Sequence, residues 1–249
     1  YAEAHNNIGN LHQNLGKYDK AEVSYKRVLE LEPGHVMARK NLITLKKQKV
    51  LLSKILYEKN ISTKNLINNF NLDIKLDTNP LILERQVEPE LVSNLYKMNI
   101  SHFTKTKDAR YGNGWCSNFE LLENESSIIK VLTNDLTEIM QQAVKSKIYI
   151  IDSFFNILSS GSGTAPHNHL NSFDKVHKLT NQKFSLTYYL AVGDQDSTEP
   201  GILKVYNPDK DILPSNGQIV IIPAYRMHSA VYNGKKDRVM VGVNFYSLN

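Results

Sequence analysis

Pro166-His167-Asn168-His169 is the stretch on which the reading of this chain turns, together with His228 and, ten residues beyond it, Arg238. Side chains alternate across a strand with period two, so histidines two apart on one strand project to the same face. A third histidine on a later strand closes a three-point face suited to a metal ion. The arginine ten residues further on can hold a carboxylate beside the ion, because a guanidinium fork matches a carboxylate in a planar, paired geometry.

The surroundings read as β-structure. Short apolar runs bounded by turn residues predict strands over 148–158, 164–170, 184–192, 201–206, 217–222, 228–232 and 238–246. Many short strands with little helix between them predict a jelly-roll sandwich or barrel. Before them, Leu81-Ile82-Leu83 predicts a strand and Glu90 to Met98 a short helix. Ile128, Ile129, Leu132, Leu136, Ile139, Met140 and Ala143 fall on one face of a helix over 126–145. The Gly-rich run Ala109 to Trp115 predicts a loop, with Tyr111 and Trp115 either lining a substrate mouth or anchoring that loop. Ser185, Thr187 and Tyr189 are in phase, so they share a face that looks into the barrel. For Ser185 and Thr187, cross-strand packing explains them as well as function does.

The first third of the chain has a different period. Over residues 2–33, Ile8, Gly9, Leu15-Gly16-Lys17-Tyr18, Ala21, Tyr25, Val28, Leu31 and Pro33 predict two close-packed helices. Gly16 ends the first in a left-handed cap and Pro33 ends the second. The pattern resembles a tetratricopeptide repeat, with His5 where that repeat usually has Trp and Val28 where it has Ala. A further helix is expected over about 35–58. One repeat cannot bury its own face, and Tyr1 opens inside a helical pattern, so upstream repeats are expected. Residues 59–79, rich in Asn, Ser, Thr and Asp, predict a linker. The expected organisation is a repeat segment over 1–58, that linker, and a β-rich domain over 80–249. The fold class is α+β: an N-terminal helical hairpin, then a double-stranded β-helix with flanking helices.

Composition bounds the rest. A chain of 249 residues with a formal charge of +5 and no block of like charges gives no reason to expect nucleic acid. No apolar run reaches membrane-span length. The single cysteine, Cys116, excludes an internal disulfide framework and points to a reducing, cytoplasmic setting. With no second cysteine to bridge to, it is assigned no chemistry.

From residue 150 onward the ordered motifs resemble the 2-oxoglutarate- and Fe(II)-dependent dioxygenases, in particular the prolyl-hydroxylase-like branch. His167-Asn168-His169 stands where that superfamily has His-x-Asp. Phe184 to Leu190, Pro200 to Tyr206, Ile219 to Pro223 with His228, and Arg238 to Tyr246 look like the family's later strands, in order. The resemblance implies Fe(II) on His167, His169 and His228. It implies 2-oxoglutarate held by Arg238 and Tyr189, with Asn156, Ser185 and Thr187 as further candidates. Molecular oxygen would be the oxidant, 2-oxoglutarate would be decarboxylated to succinate, and a C–H of a protein, peptide or small molecule would be hydroxylated. His169 replaces the usual carboxylate, and Asp174, five residues on, is the alternative third ligand. A helical repeat implies a protein or peptide partner. Two other classes stay open: a barrel that has lost catalysis and serves as a binding module, and an iron barrel oxygenase that does not use 2-oxoglutarate.

Overall fold

The computed structural model describes residues 1–65, 79–98 and 114–248, with side chains omitted over 59–65. The chain divides into two compact units. One comprises Tyr1–Leu72, Leu170–Thr180 and Leu248–Asn249; the other comprises Asp73–His169 and Asn181–Ser247.

In the first unit, α1 (Ala2–Asn14) and α2 (Tyr18–Leu31) form the expected hairpin, followed by α3 (Val36–Asn65). Gly16 adopts φ +71°, and the N–H groups of Lys17 and Gly16 reach back to the carbonyls of His12 and Gln13. That pair of hydrogen bonds is the Schellman closure, which needs a residue free of Cβ strain at its left-handed position. Gly9 lies directly under the Tyr25 ring, where a Cβ would collide. Tyr25 is fully buried beside Ala21 and Leu45, and its hydroxyl meets Asn10 and Gln13 at 2.8 and 2.6 Å. The third helix runs past 58 into the first seven residues expected to be linker. Lys59-Asn60-Ile61-Ser62-Thr63-Lys64-Asn65 contain no Gly or Pro, so nothing there breaks the helix. The rest of that linker, up to residue 78, lies outside the described residues. The 170–180 segment carries a short helix, α6 (Ser172–Val176), which the sequence pattern did not signal.

The second unit is built on two antiparallel sheets. Its elements are β1 (Leu81–Glu84), α4 (Pro89–Lys97), β2 (Trp115–Cys116), α5 (Ser127–Val144), β3 (Ile148–Leu158), β4 (Ser162–His167), β5 (Lys183–Ala191), β6 (Leu203–Val205), β7 (Lys210–Ile212), β8 (Gln218–Pro223), β9 (His228–Tyr232) and β10 (Arg238–Ser247). The larger sheet has the order β1-β8-β5-β10-β3-β2 and the smaller β4-β9-β6-β7. Alternation along the strands separates two environments. Phe184, Leu186, Tyr188 and Leu190 of β5, with Val239, Val241, Val243 and Phe245 of β10, turn outward. There they meet Leu132, Leu136 and Met140 of α5 and Leu91 and Leu95 of α4. The opposite face joins Tyr189, Val220 and Ile222 to Leu203, Val205 and Ile212 of the smaller sheet.

Four strands differ from the expectations. The strand expected over 164–170 ends at His167, where the register shifts against β9, so His169 stands beyond the strand. The strand near 201 starts at Leu203 because Gly201 sits at φ +81°. β7 and β2 were not anticipated; each is too short to show a period. Trp115 pairs with Ile157 and packs against the outer core, so it anchors its segment. Tyr111 lies outside the described residues. Leu136 is fully buried at the centre of the α5 contact. Leu136→Ala should cost about 2–5 kcal/mol, read as a lowered urea midpoint with an unchanged slope.

Candidate metal and carboxylate site

The site begins where β4 and β9 pair. His167 and His228 face each other directly in that register, one at the end of its strand and the other at the start. His169, two residues on, is held by its backbone N–H on the carbonyl of Ala224 at 2.9 Å. One nitrogen or other from each of the three rings lies within 4.8 Å of the others. His169 Nε2 and His228 Nε2 are 3.2 Å apart. Two nitrogen ligands at about 2.1 Å from one ion sit roughly 3 Å apart on an octahedral face, so this pair already has the right spacing.

Backbone carbonyls orient two of the rings. Nδ1–H of His167 donates to the carbonyl of Ala165 at 2.8 Å, and Nδ1–H of His228 to that of Arg226 at 3.0 Å. Both rings thereby present a bare Nε2, the tautomer in which metal-bound histidines are usually held. With His228 Nε2 bare, the short contact to His169 makes His169 Nε2 the donor; taking up an ion requires that proton to leave or move to Nδ1. Burial pushes the His169 pKa down to about 2, with His228, His167 and Lys183 adding to the effect. Burial and His167 push His228 down to about 4, partly offset by the Arg226 carbonyl. Neutral imidazoles are what a divalent first-row metal needs, and the donor set fits such an ion.

Asp174 does not join them. Its carboxylate accepts the Asn171 N–H at 2.8 Å while Asn171 Oδ1 accepts the Asp174 N–H at 3.2 Å, a capping box that starts α6. It is fully buried in that role.

Arg238 is 1% exposed at the first position of β10. Its guanidinium donates to the carbonyls of Gly201 at 2.6 Å, Pro200 at 3.0 Å and Val192 at 3.3 Å. It lies 5.6 Å from the Tyr189 ring centroid and 4.9 Å from that of Tyr232. A Cβ at Gly201 would fall on the guanidinium, so only glycine allows this cradle. No ion pair to a described carboxylate forms. Desolvation lowers the Arg238 pKa, opposed by Tyr189 and Tyr232, yet a guanidinium stays charged. A buried cation without an anion is costly, and two of its five N–H groups are left for one.

The other expected residues share this inner face. Asn156 and Tyr189 flank Met240 from the two neighbouring strands, Thr187 lies opposite Gly242, and Ser185 lies opposite Asn244. Asn156 is buried and its Oδ1 has no hydrogen-bond partner. Burial raises the Tyr189 pKa to about 12, so its hydroxyl remains a donor. Sequence reasoning missed Tyr232, which stacks on Arg238 and whose hydroxyl bridges the Lys236 carbonyl and the Asp194 N–H. It also missed Lys183, on the Ser185–Tyr189 face by the same period of two, whose charge reaches His169.

Residues 2–35 match the tetratricopeptide repeat family. No curated protein matches the chain. Among solved structures, the fold is similar to a Pseudomonas putida prolyl-4-hydroxylase, with TM-score 0.52 and 12% identity over 69% of this chain and 94% of that one. It is also similar to the viral collagen prolyl hydroxylase of Paramecium Bursaria Chlorella virus-1 in its 2-oxoglutarate complex, with TM-score 0.53 and 11% identity over 70% and 99%. A Trichoplax adhaerens prolyl hydroxylase in complex with a hypoxia inducible factor oxygen degradation domain peptide fragment gives TM-score 0.52 and 14% identity over 81% and 91%. The chain therefore joins an N-terminal tetratricopeptide repeat to the jelly-roll fold of prolyl-hydroxylase-like 2-oxoglutarate–Fe(II) oxygenases.

The histidine shifts set a pH dependence. A histidine whose folded pKa lies below its unfolded 6.5 binds its proton more readily when unfolded. Its stabilisation is then present above pH 6.5 and is lost on acidification toward pH 4. The metal-free protein should lose about 1.4 kcal/mol per pH unit for each of His169 and His228 over that window. Urea midpoints between pH 7 and 4 measure it, and His228→Gln should flatten the slope.

Proposed function

We propose that the chain is an Fe(II)- and 2-oxoglutarate-dependent oxygenase that hydroxylates a C–H of a protein, peptide or small-molecule substrate. The observation that carries this reading is the convergence of His167, His169 and His228 where β4 meets β9, in a fold shared with such oxygenases. When bound, iron and 2-oxoglutarate supply the oxidising chemistry, coupling loss of carbon dioxide and formation of succinate to hydroxylation by molecular oxygen.

The protein's own part is placement. Three neutral imidazoles would hold the ion by nitrogen and leave its remaining positions open. Arg238 would take the far carboxylate of 2-oxoglutarate on its unused N–H groups, with the Tyr189 hydroxyl as second donor. Asn156, Ser185 and Thr187 would line the same chamber, where the unpartnered Asn156 Oδ1 awaits a donor. Burial of these groups keeps water from competing with the bound carboxylate. Without an acidic ligand the site keeps one more positive charge than with Asp, which favours a doubly negative co-substrate. A peptide partner is supported by the repeat and by the peptide seen on the Trichoplax relative. No described helix is long and apolar enough to cross a membrane. A cytoplasmic setting is part of this reading, supported by a chain whose single cysteine is buried as a thiol.

The second reading is an iron oxygenase that does not use 2-oxoglutarate. It is favoured by His169 in the carboxylate's place and by the three backbone carbonyls already bound to Arg238.

Iron-dependent release of succinate from 2-oxoglutarate is the deciding measurement. Oxygen uptake with iron but without consumption of 2-oxoglutarate would establish the second reading; no uptake with iron bound would make the chain a binding module. Arg238→Lys should weaken 2-oxoglutarate binding by about thirtyfold or more while preserving the fold, since an ammonium cannot form the planar pair. Arg238→Ala should lose stability as well, because three carbonyls are orphaned. Unchanged binding in Arg238→Lys would make the arginine purely structural.

A further inference from the structure

The inner face of β10 carries a second polar group, six residues beyond Arg238. Asn244 is 7% exposed and lies opposite Asp152 of β3 on one side and Ser185 of β5 on the other. Its Nδ2 donates to Asp152 Oδ1 at 2.7 Å. A carboxylate only accepts, so this bond fixes which way the amide is turned. The other amide atom, Oδ1, is buried and has no hydrogen-bond partner among the described residues. β3 carries an extra residue at this point: Asn244 pairs with Asp152 and Phe245 with Ile150, so Ile151 is skipped. Such a bulge re-aims a side chain and is frequent at barrel rims and beside active sites.

The place of Asn244 along the chamber separates it from the co-substrate end. At the usual rise per residue it stands about 20 Å along β10 from Arg238. A five-carbon diacid spans about 5 Å between its carboxyl carbons, so one held on Arg238 does not reach Asn244. The Asn244 end is the end around the histidines. Ser185, opposite Asn244, is two residues from Lys183, whose carbonyl accepts the Ala224 N–H at 2.8 Å. The Ala224 carbonyl in turn accepts the His169 N–H at 2.9 Å. Asn156, another buried amide with an unpartnered Oδ1, lies opposite Met240, nearer Arg238. The chamber therefore has an open acceptor toward each end.

We propose that Asn244 Oδ1 is a substrate subsite that takes the amide N–H of a peptide beside the C–H to be hydroxylated, with Asp152 as its positioning residue. The inference rests on the oxygenase reading above and narrows its substrate class. An unpartnered buried acceptor is costly and rare in native folds. With Nδ2 spent on Asp152, Asn244 can only accept, so it selects a hydrogen-bond donor and rejects a bare carbonyl. A cationic donor would compete for the Asp152 carboxylate and break the bond that turns Asn244, whereas a neutral donor leaves it intact. Hydroxyls and amide N–H groups are both neutral donors. The amide is the one that a peptide presents beside every side chain, whatever that side chain is.

The test uses the full chain loaded with cobalt(II), whose unpaired electrons broaden the proton signals of molecules bound near it. Three neutral probes of similar size are titrated: N-methylacetamide, which has an amide N–H; N,N-dimethylacetamide, which has none; and 2-propanol, which has a hydroxyl. N-methylacetamide should show saturable broadening and bind about fivefold or more tightly than N,N-dimethylacetamide, the effect of leaving a buried acceptor without a donor. Asn244→Leu should bring the two amides to equal affinity while cobalt binds as in the parent. Should Asn244→Leu lose native circular dichroism, Asn244→Ser takes its place with the same expectation, its hydroxyl being too short to reach the probe. Asp152→Ala should narrow the preference to about twofold, because the freed amide can turn its Nδ2 into the chamber. A residue that only props the strand would leave that preference unchanged. Equal affinity of the two amides for the parent, tighter binding of 2-propanol than of N-methylacetamide, or a preference unchanged in the Asn244 or Asp152 variant overturns the inference and leaves the oxygenase reading standing. A parent chain that binds no cobalt overturns the metal reading and the inference with it.

Discussion

The division of β5, β8 and β10 into two faces is the constraint on which the rest of the β unit depends. Each strand carries one apolar row against α4 and α5 and one mixed row toward the smaller sheet. A one-residue slip in register would exchange the rows and bury Arg238 against the helices. The outer row can be this apolar because a helix layer covers it; the inner row can hold Arg238, Asn156 and Tyr189 because the second sheet shields them from bulk water. The outer core and the candidate site are drawn from opposite sides of the same strands.

The inner chamber holds charge in an unbalanced way. A guanidinium is buried among carbonyls and aromatic faces, and the imidazoles of His169 and His228 are pushed toward neutrality by burial and by their histidine neighbours. Native proteins retain such arrangements where a ligand completes them, since burying unpaired charge is otherwise expensive. Under the proposed function, a metal on the three histidines and a carboxylate beside Arg238 would offset this imbalance, and the three-histidine set would be chemically coherent although it departs from the His-x-Asp pattern.

The 170–180 segment belongs to one unit by packing and interrupts the other in sequence. Along the chain it is an insertion between β4 and β5; by its contacts it is part of the repeat. Its first residue comes directly after a candidate ligand.

Local rules were sufficient for much of this protein. Gly16 and Pro33 placed the ends of the first two helices, the period of 3.6 placed α5, and the period of two placed Tyr189, Thr187 and Ser185 on the inner face, because each signal depends only on neighbours along the chain. The order of His167, His169, His228 and Arg238 named the candidate site for the same reason. Tertiary structure alone decided where the chain's local signals were weak or shared. Residues 59–65 lacked a breaker and stayed helical, while β2 and β7 were too short to show a period. His169 left its strand for the Ala224 carbonyl, and Asp174 spent its carboxylate on a helix cap. Gly201 proved to be the cradle of a guanidinium 37 residues away, and Tyr18 met His177 across 159 residues. Contacts that distant leave no periodic trace, since they depend on where folding brings two segments and not on the spacing within either one.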